Sequence, residues 1–403
     1  MGNYDSKYTI LRNLSGILLG AYCFIAIISY SSFKVSYSDY YVIFDLSRIL
    51  ILFLMGIVSF MKIKNLKNFL SFALLLGASI LVMVITRNNS VFFIILILLI
   101  YTVKDLTPIV IINIMKKTIL VTTLVLVFLS LINVIQNIEV FRIFNDGSLQ
   151  SRSALGFTHP NSFGFMVLMY IVLTFWSEWI IKTKFITFKS FAVEVIGIYP
   201  IIEIADSRTP FLLVILITIL CLFTDLKIVN IKNLYRISFS TLITSIIFTI
   251  YFSVYYKYSN TLHLFISRIL SGRLDLMNTF YKRYGFSILG QSVYMTSSKT
   301  ISFFEDYSYL DSGFGRAFIE FGFLFATVFI ILFIISINNG KKSNNYGVLV
   351  FGIFISIYLV IQDRFMIEPV WSLPLFIFLF YKNPKLPLHP KVTGGVYDEE
   401  SIS

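Results

Sequence analysis

Long apolar runs dominate the chain, separated by short polar connections. They fall at residues 13–30, 41–61, 69–86, 89–103, 118–136 and 161–181, then at 186–205, 209–224, 237–256, 314–337, 346–362 and 369–381. A helix needs roughly 20 apolar residues to cross the hydrocarbon core of a bilayer, so the runs predict about twelve membrane-spanning helices. The shortest are 89–103 and 369–381. The expected fold is therefore all-α, a polytopic integral membrane protein with one membrane domain over residues 1–403.

One connection is long, residues 257–312, and connections beyond about 12–15 residues usually carry function or disorder. This one is rich in Leu, Phe, Tyr and Ile. Within it Leu276, Met277, Phe280, Tyr281 and Tyr284 recur at helical spacing, which predicts a short amphipathic helix at the membrane surface. Residues 382–403, rich in Pro, Gly and acid, read as a disordered tail. The first run follows Lys7 and Arg12 without a small-residue cleavage site, so it is expected to be an uncleaved first span. No internal repeat is visible.

Composition agrees with a membrane setting. The chain is 57% hydrophobic and only 13% charged, with mean hydropathy +0.83, whereas soluble domains carry about 25% charged residues. The net charge of +12 then has to be explained. Alternate connections hold Lys7 and Arg12, then Lys62, Lys64 and Lys67, then Lys104, Lys116 and Lys117. The same set continues with Lys182, Lys184 and Lys189, with Lys227, Lys232 and Arg236, with Lys341 and Lys342, and with Lys382, Lys385 and Lys391. The positive-inside rule places these, and both termini, in the cytoplasm. The remaining basic residues are mostly arginine and lie at outer span ends or in outer loops, where topology does not call for them. Arginine's planar fork matches two oxygens of a phosphate or carboxylate and stays charged.

Cys23 and Cys221 each lie inside an apolar run, and the chain has three histidines. Neither a disulfide framework nor zinc or haem ligation is expected from that set, and no metal or other cofactor is assigned.

Five constellations carry candidate chemistry. Arg152, His159 and Asn161 lie at the start of the sixth run, with Pro160 suited to a first helical turn and Thr158 as its expected cap. That helix start with Arg152 would form an anion-binding corner, and His159 would serve as a base near neutral pH; a plain loop-to-helix junction is the alternative. Asp206, Ser207, Arg208 and Thr209 are squeezed between two apolar runs, where an ionisable group is costly unless paired or working. Arg268 and Arg273 flank Ser271 and Gly272 in the long loop, and Asp306, Tyr309 and Asp311 close it just before Arg316. The last pairing, Asp363 and Arg364 with Glu368, reads most simply as a salt bridge, and deep Glu194 would find a span arginine such as Arg48.

Taken in order, R-x-x-x-G-x-x-H-P-N over 152–161, S-R-T over 207–209, S-G-R over 271–273 and D-x-S-Y-L over 306–310 resemble the Wzy-type polysaccharide polymerases of the O-antigen polymerase and ligase superfamily. The likeness covers residues 152–333, with a fainter echo at 363–368. It implies a GT-C-like integral membrane glycosyltransferase with one large external loop. Such an enzyme joins lipid-linked repeat units at the outer face of the cytoplasmic membrane, making O-antigen, capsule or exopolysaccharide. The donor and acceptor partners would be undecaprenyl-diphosphate-linked oligosaccharides in the lipid bilayer, with a chain-length regulator protein as a further partner and no nucleic acid. By the same likeness Arg273, Arg152 and Arg208 would neutralise the leaving diphosphate, helped by Arg268, Arg316 and Asn161. His159 or Asp306 would take the acceptor's proton, and Tyr309 would stack on a sugar. The ligase branch usually carries a histidine in the late loop, and here that stretch has none, which favours polymerase. The rival expectations are a ligase, a lipid-linked oligosaccharide flippase with substrate charges near the midplane and related halves, and a non-catalytic scaffold.

Overall fold

The computed structural model describes residues 2–63, 65–86, 91–143, 149–270, 272–296 and 309–379. The chain is mostly helical, and each of the twelve apolar runs overlaps a helix among the described residues. The first part comprises α1 (Gly2–Ile28), a short α2 (Phe33–Ser36), α3 (Tyr41–Met61), α4 (Leu66–Thr86), α5 (Phe92–Val103) and α6 (Pro108–Leu131). A hairpin of β1 (Glu139–Ile143) and β2 (Leu149–Ser153) follows. Then come α7 (Pro160–Lys182), α8 (Phe188–Tyr199), α9 (Arg208–Asp225) and α10 (Ile231–Tyr255). The long loop carries α11 (Thr261–Ile269) and α12 (Arg273–Tyr284). The last part is α13 (Gly313–Ile319), α14 (Gly322–Lys342), α15 (Tyr346–Ile361), α16 (Arg364–Ile367) and α17 (Pro369–Phe376).

Among the described residues, seven helical segments are long and apolar enough to cross a membrane: Tyr8–Ile28, Ser38–Met61, Pro108–Leu131, Pro160–Lys182, Arg208–Asp225, Ile231–Tyr255 and Gly322–Lys342. Four shorter apolar helical segments, Leu66–Leu81, Phe92–Val103, Tyr346–Ile361 and Pro369–Leu379, accompany them. The chain is thus a multi-pass helical membrane protein.

Three departures from the expected pattern have local causes. The antiparallel β1–β2 hairpin interrupts an otherwise all-α fold, pairing Arg152 with Val140 across the ladder. Helix α6 starts ten residues before its apolar run because Pro108 suits a first turn and because Lys116 is buried, its Nζ donating to Ser177 Oγ at 2.7 Å. The expected single span 314–337 is broken between α13 and α14, where Gly322 adopts φ +88°. Residues 287–291 lie across that break: Gln291 N donates to the Glu320 carbonyl at 2.9 Å and Phe323 N to the Ser287 carbonyl at 2.8 Å. The predicted tail, 382–403, lies outside the described residues.

Helices α7, α15 and α17 form the centre, most of their side chains sealed from the surface. Lipid tails are as apolar as leucine, so close packing rather than hydrophobic transfer holds helices together in a bilayer. Gly347 shows the fit: the Trp176 indole occupies the space a side chain there would need. Helices α3 and α4 instead turn Ile43, Leu50, Phe53, Leu70 and Leu74 outward, as lipid-facing helices do. The bundle ends differ in chemistry. At one, Lys62 pairs with Asp105 at 3.2 Å and Lys182 and Lys189 with buried Glu178 at 3.6 and 3.3 Å. Arg152, Arg208, Arg273, Arg316 and Arg364 gather at the other.

Candidate functional site

The first part of the site forms where β2 meets α7 and α8 meets α9. Arg152 projects from β2 with 6% of its surface exposed. Its Nε donates to the Ala205 carbonyl at 3.1 Å and its Nη2 to Asn161 Oδ1 at 2.9 Å. Ser207 Oγ donates to the same Asn161 oxygen at 3.0 Å, so two motifs 46 residues apart share one amide. Asp206 takes φ +38°, a left-handed conformation that aspartate tolerates better than most residues. From there it lies 3.9 Å from Arg152 and 3.6 Å from Arg208. Gly164 allows the turn this close: a Cβ there would stand 2.7 Å from Ser207 Oγ.

His159, not Thr158, caps α7. Its Nδ1 accepts from Asn161 N at 3.0 Å, as polar N-cap side chains satisfy the free amides of a first turn. In the neutral imidazole that bond leaves the proton on Nε2.

The second part gathers around the start of α12 and the residues before α13. Arg273 opens α12 behind Gly272, which takes φ +79°. Its Nε stands 3.4 Å from Asp311 Oδ2 and its Nη1 3.4 Å from Thr209 Oγ1, which ties the long loop to the α8–α9 turn. On α13, Arg316 pairs with Glu320 at 2.6 Å and with Asp363 at 2.8 Å, and Tyr309 donates its hydroxyl to the same Asp363 oxygen at 3.0 Å. Arg364, 9% exposed, donates from Nη2 to Ser162 Oγ at 2.9 Å on the first turn of α7. It lies between the rings of Tyr30 and Phe165, and its Nε and Nη1 meet no acceptor among the described residues. Burial pushes the Asp311 carboxyl up to about 6, Arg273 opposing the shift and Asp363 adding to it. Burial and the Asp363 carboxylate likewise raise the Tyr309 phenol.

The expected residues are therefore largely brought together. Arg152, Asn161, Arg208, Arg273, Tyr309 and Arg316 belong to this connected set. Arg208 is the outermost of them, its side chain 60% exposed. Arg268 is exposed on α11, apart from this set. Asp306 lies outside the described residues.

Asp311 stood in the expected loop-closing constellation without a role of its own, and Asp363 and Arg364 were expected only as a local salt bridge. The expected local salt bridge of Asp363, Arg364 and Glu368 does not form. Asp363 goes to Arg316, Glu368 to Arg48 at 2.8 Å, and Glu194 accepts from Thr218 at 2.6 Å rather than meeting Arg48. The available signal was the arginine surplus itself, of which Arg364 is part.

Among the described residues, no three His, Cys, Asp or Glu side chains gather in a metal-holding set. The chemistry on offer is a group of guanidinium donors. Beside it a groove of about 590 Å³ runs between α10 and α15, lined by Ser240, Thr241, Thr244, Phe248, Leu270 and Val360. Its end at Leu270 and Ile361 adjoins Arg273 and Asp363 in the chain. Compared with family models, curated proteins and solved structures, the chain matches none.

Proposed function

We propose that the chain is a Wzy-type membrane glycosyltransferase, polymerising undecaprenyl-diphosphate-linked oligosaccharide repeat units into O-antigen, capsule or exopolysaccharide. The observation that carries this reading is the convergence of Arg152, Arg273, Arg316 and Arg364. Four separate stretches of the chain bring them to one end of an apolar bundle, each at most 13% exposed by side chain or residue. In this reading about twelve helices cross the cytoplasmic membrane in a GT-C-like arrangement, both termini are cytoplasmic, and the arginine end faces outward.

The leaving group of the donor is a diphosphate, whose negative charge grows as the anomeric C–O bond breaks. Arg152 is held by Asn161 and the Ala205 carbonyl, and Arg273 by Asp311 and Thr209. Donors fixed before the reaction stabilise developing charge without reorganising, which is the main source of electrostatic catalysis. Arg208, more exposed, would meet the diphosphate as it arrives. The groove between α10 and α15 would hold an isoprenoid tail, and Tyr309 would border the sugar. A chain-length regulator would act on the polymer as it grows.

In cells that make the polymer, Arg273→Ala, Arg208→Ala and Arg152→Ala should each leave single repeat units on lipid while the protein is expressed normally. Full-length polymer from all three variants would remove the diphosphate-binding assignment. A flippase is the second reading, favoured by one observation: Arg48, Tyr22 and Glu368 form a charged cluster among the apolar helices. Reconstituted vesicles separate the two, because a flippase moves lipid-linked units without lengthening them.

A further inference from the structure

We propose that Asp311 is the base that accepts the proton of the attacking acceptor hydroxyl. The proposal rests on the glycosyl-transfer reading, and it comes from comparing the carboxylates that the structure places beside the arginines.

Asp363 is 4% exposed, and its Oδ2 already accepts from both Arg316 and Tyr309. Glu320 is 7% exposed and held by Arg316 at 2.6 Å. Asp206 faces Arg152 and Arg208 together. These three neutralise arginines and offer little to a substrate. Asp311 differs on both counts. Its side chain keeps 21% exposure, and its one printed partner, Arg273, stands 3.4 Å away, longer than the 2.7–2.9 Å of a charge-assisted bond. Its second oxygen, Oδ1, has no hydrogen-bond partner among the described residues.

The position also suits the reaction. Asp311 touches Arg273, a proposed ligand of the leaving diphosphate, so base and leaving group meet the same sugar. The acceptor O–H proton passes to Asp311 Oδ1, and the oxygen's electron pair forms the new bond to the anomeric carbon. The anomeric C–O bond breaks, and its pair departs with the lipid diphosphate. The carboxylic acid then returns its proton to water.

The charged and titratable groups facing Asp311 are Arg273 from α12, Asp363 and Arg364 from the turn after α15, and Tyr309 beside it. A diphosphate bound at Arg273 offsets the cation's charge without moving it, so its hold on Asp311 weakens and the carboxylate becomes the stronger base. Donor binding would thereby switch on the group that acts next.

The test uses the full chain in nanodiscs, with lipid-linked repeat units extracted from cells lacking it. General-base catalysis is worth about 10²–10⁴-fold, so Asp311→Asn should slow transfer by at least about 100-fold. Its binding of undecaprenyl diphosphate, followed by thermal shift, should stay near native. Asp311→Glu, which keeps a displaced carboxylate, should recover part of the rate. In the native protein a base must be deprotonated to act, so kcat/KM should fall as pH drops through about 6. The acid limb of kcat, which reports the complex, should lie higher. Transfer by Asp311→Asn within about threefold of native, against the 10²–10⁴-fold of a lost base, would overturn the proposal. So would an unchanged acid limb in Asp311→Glu. If the native protein neither binds undecaprenyl diphosphate nor extends the extracted units, the glycosyl-transfer reading fails first, and this proposal with it.

Discussion

Glu368 keeps 3% of its side chain exposed among apolar helices, accepts from Tyr22 at 2.7 Å and pairs with Arg48 at 2.8 Å. Breaking a buried pair by removing one partner costs about 3–5 kcal/mol, because it strands the other charge, whereas replacing both with apolar residues is often neutral. Arg48 retains 29% exposure, which puts the expected loss at the lower end. Arg48→Gln should lower Tm in detergent, and Arg48→Met combined with Glu368→Leu should recover most of it; equal Tm for the single variant and native protein would sink the idea. At this scale the sequence was a partial guide. Residue types in the site were legible, since each arginine outside the lysine-rich connections stood out. Partners were not. Asp363 chooses Arg316 47 positions away over its neighbour Arg364, because the fold sets α13 beside the turn after α15.

Among the elements, the break between α13 and α14 shows what hydropathy cannot register. Residues 314–337 read as one span with only Arg316 and Glu320 charged, yet Gly322 turns the chain through φ +88° and admits the backbone of residues 288–290. An alanine there would pay for the left-handed conformation at roughly 1–2 kcal/mol and would strike Gly290 N and the Leu289 carbonyl carbon as well. Gly322→Ala should therefore lower Tm and impair transfer together, measured on the same preparation; native values for both would show that the loop does not need this seat. The β1–β2 hairpin escaped notice for another reason. Its strands read EVFRI and LQSRS, too short and too mixed in polarity to announce a pattern. Helices were the easy part, because a lipid-solvated helix needs a long apolar run and little else in this chain has one.

For the molecule as a whole, the proposed orientation rests on the charge asymmetry. Lysines cluster at one end of the bundle and buried arginines at the other, and anionic cytoplasmic lipid favours the lysine end. A single cysteine placed between residues 285 and 296 should react with an impermeant maleimide added outside intact cells. Labelling only after the cells are opened would reverse the orientation and displace the proposed site from the outer face.

The central helices carry one more consequence, which concerns the order of assembly. The segment Pro369–Leu379 is short, holds Pro374 in mid-helix and is sealed on every side by protein. It has little to recommend it to lipid on its own, so its natural seat exists only after α5, α14 and α15 stand around it. Arg364 rides just ahead of this segment and leaves the ribosome after Arg152, Arg273 and Arg316. A nascent chain therefore carries an incomplete arginine set until this last segment docks. On the proposed function, synthesis itself leaves the site incomplete until the bundle that shelters it is built.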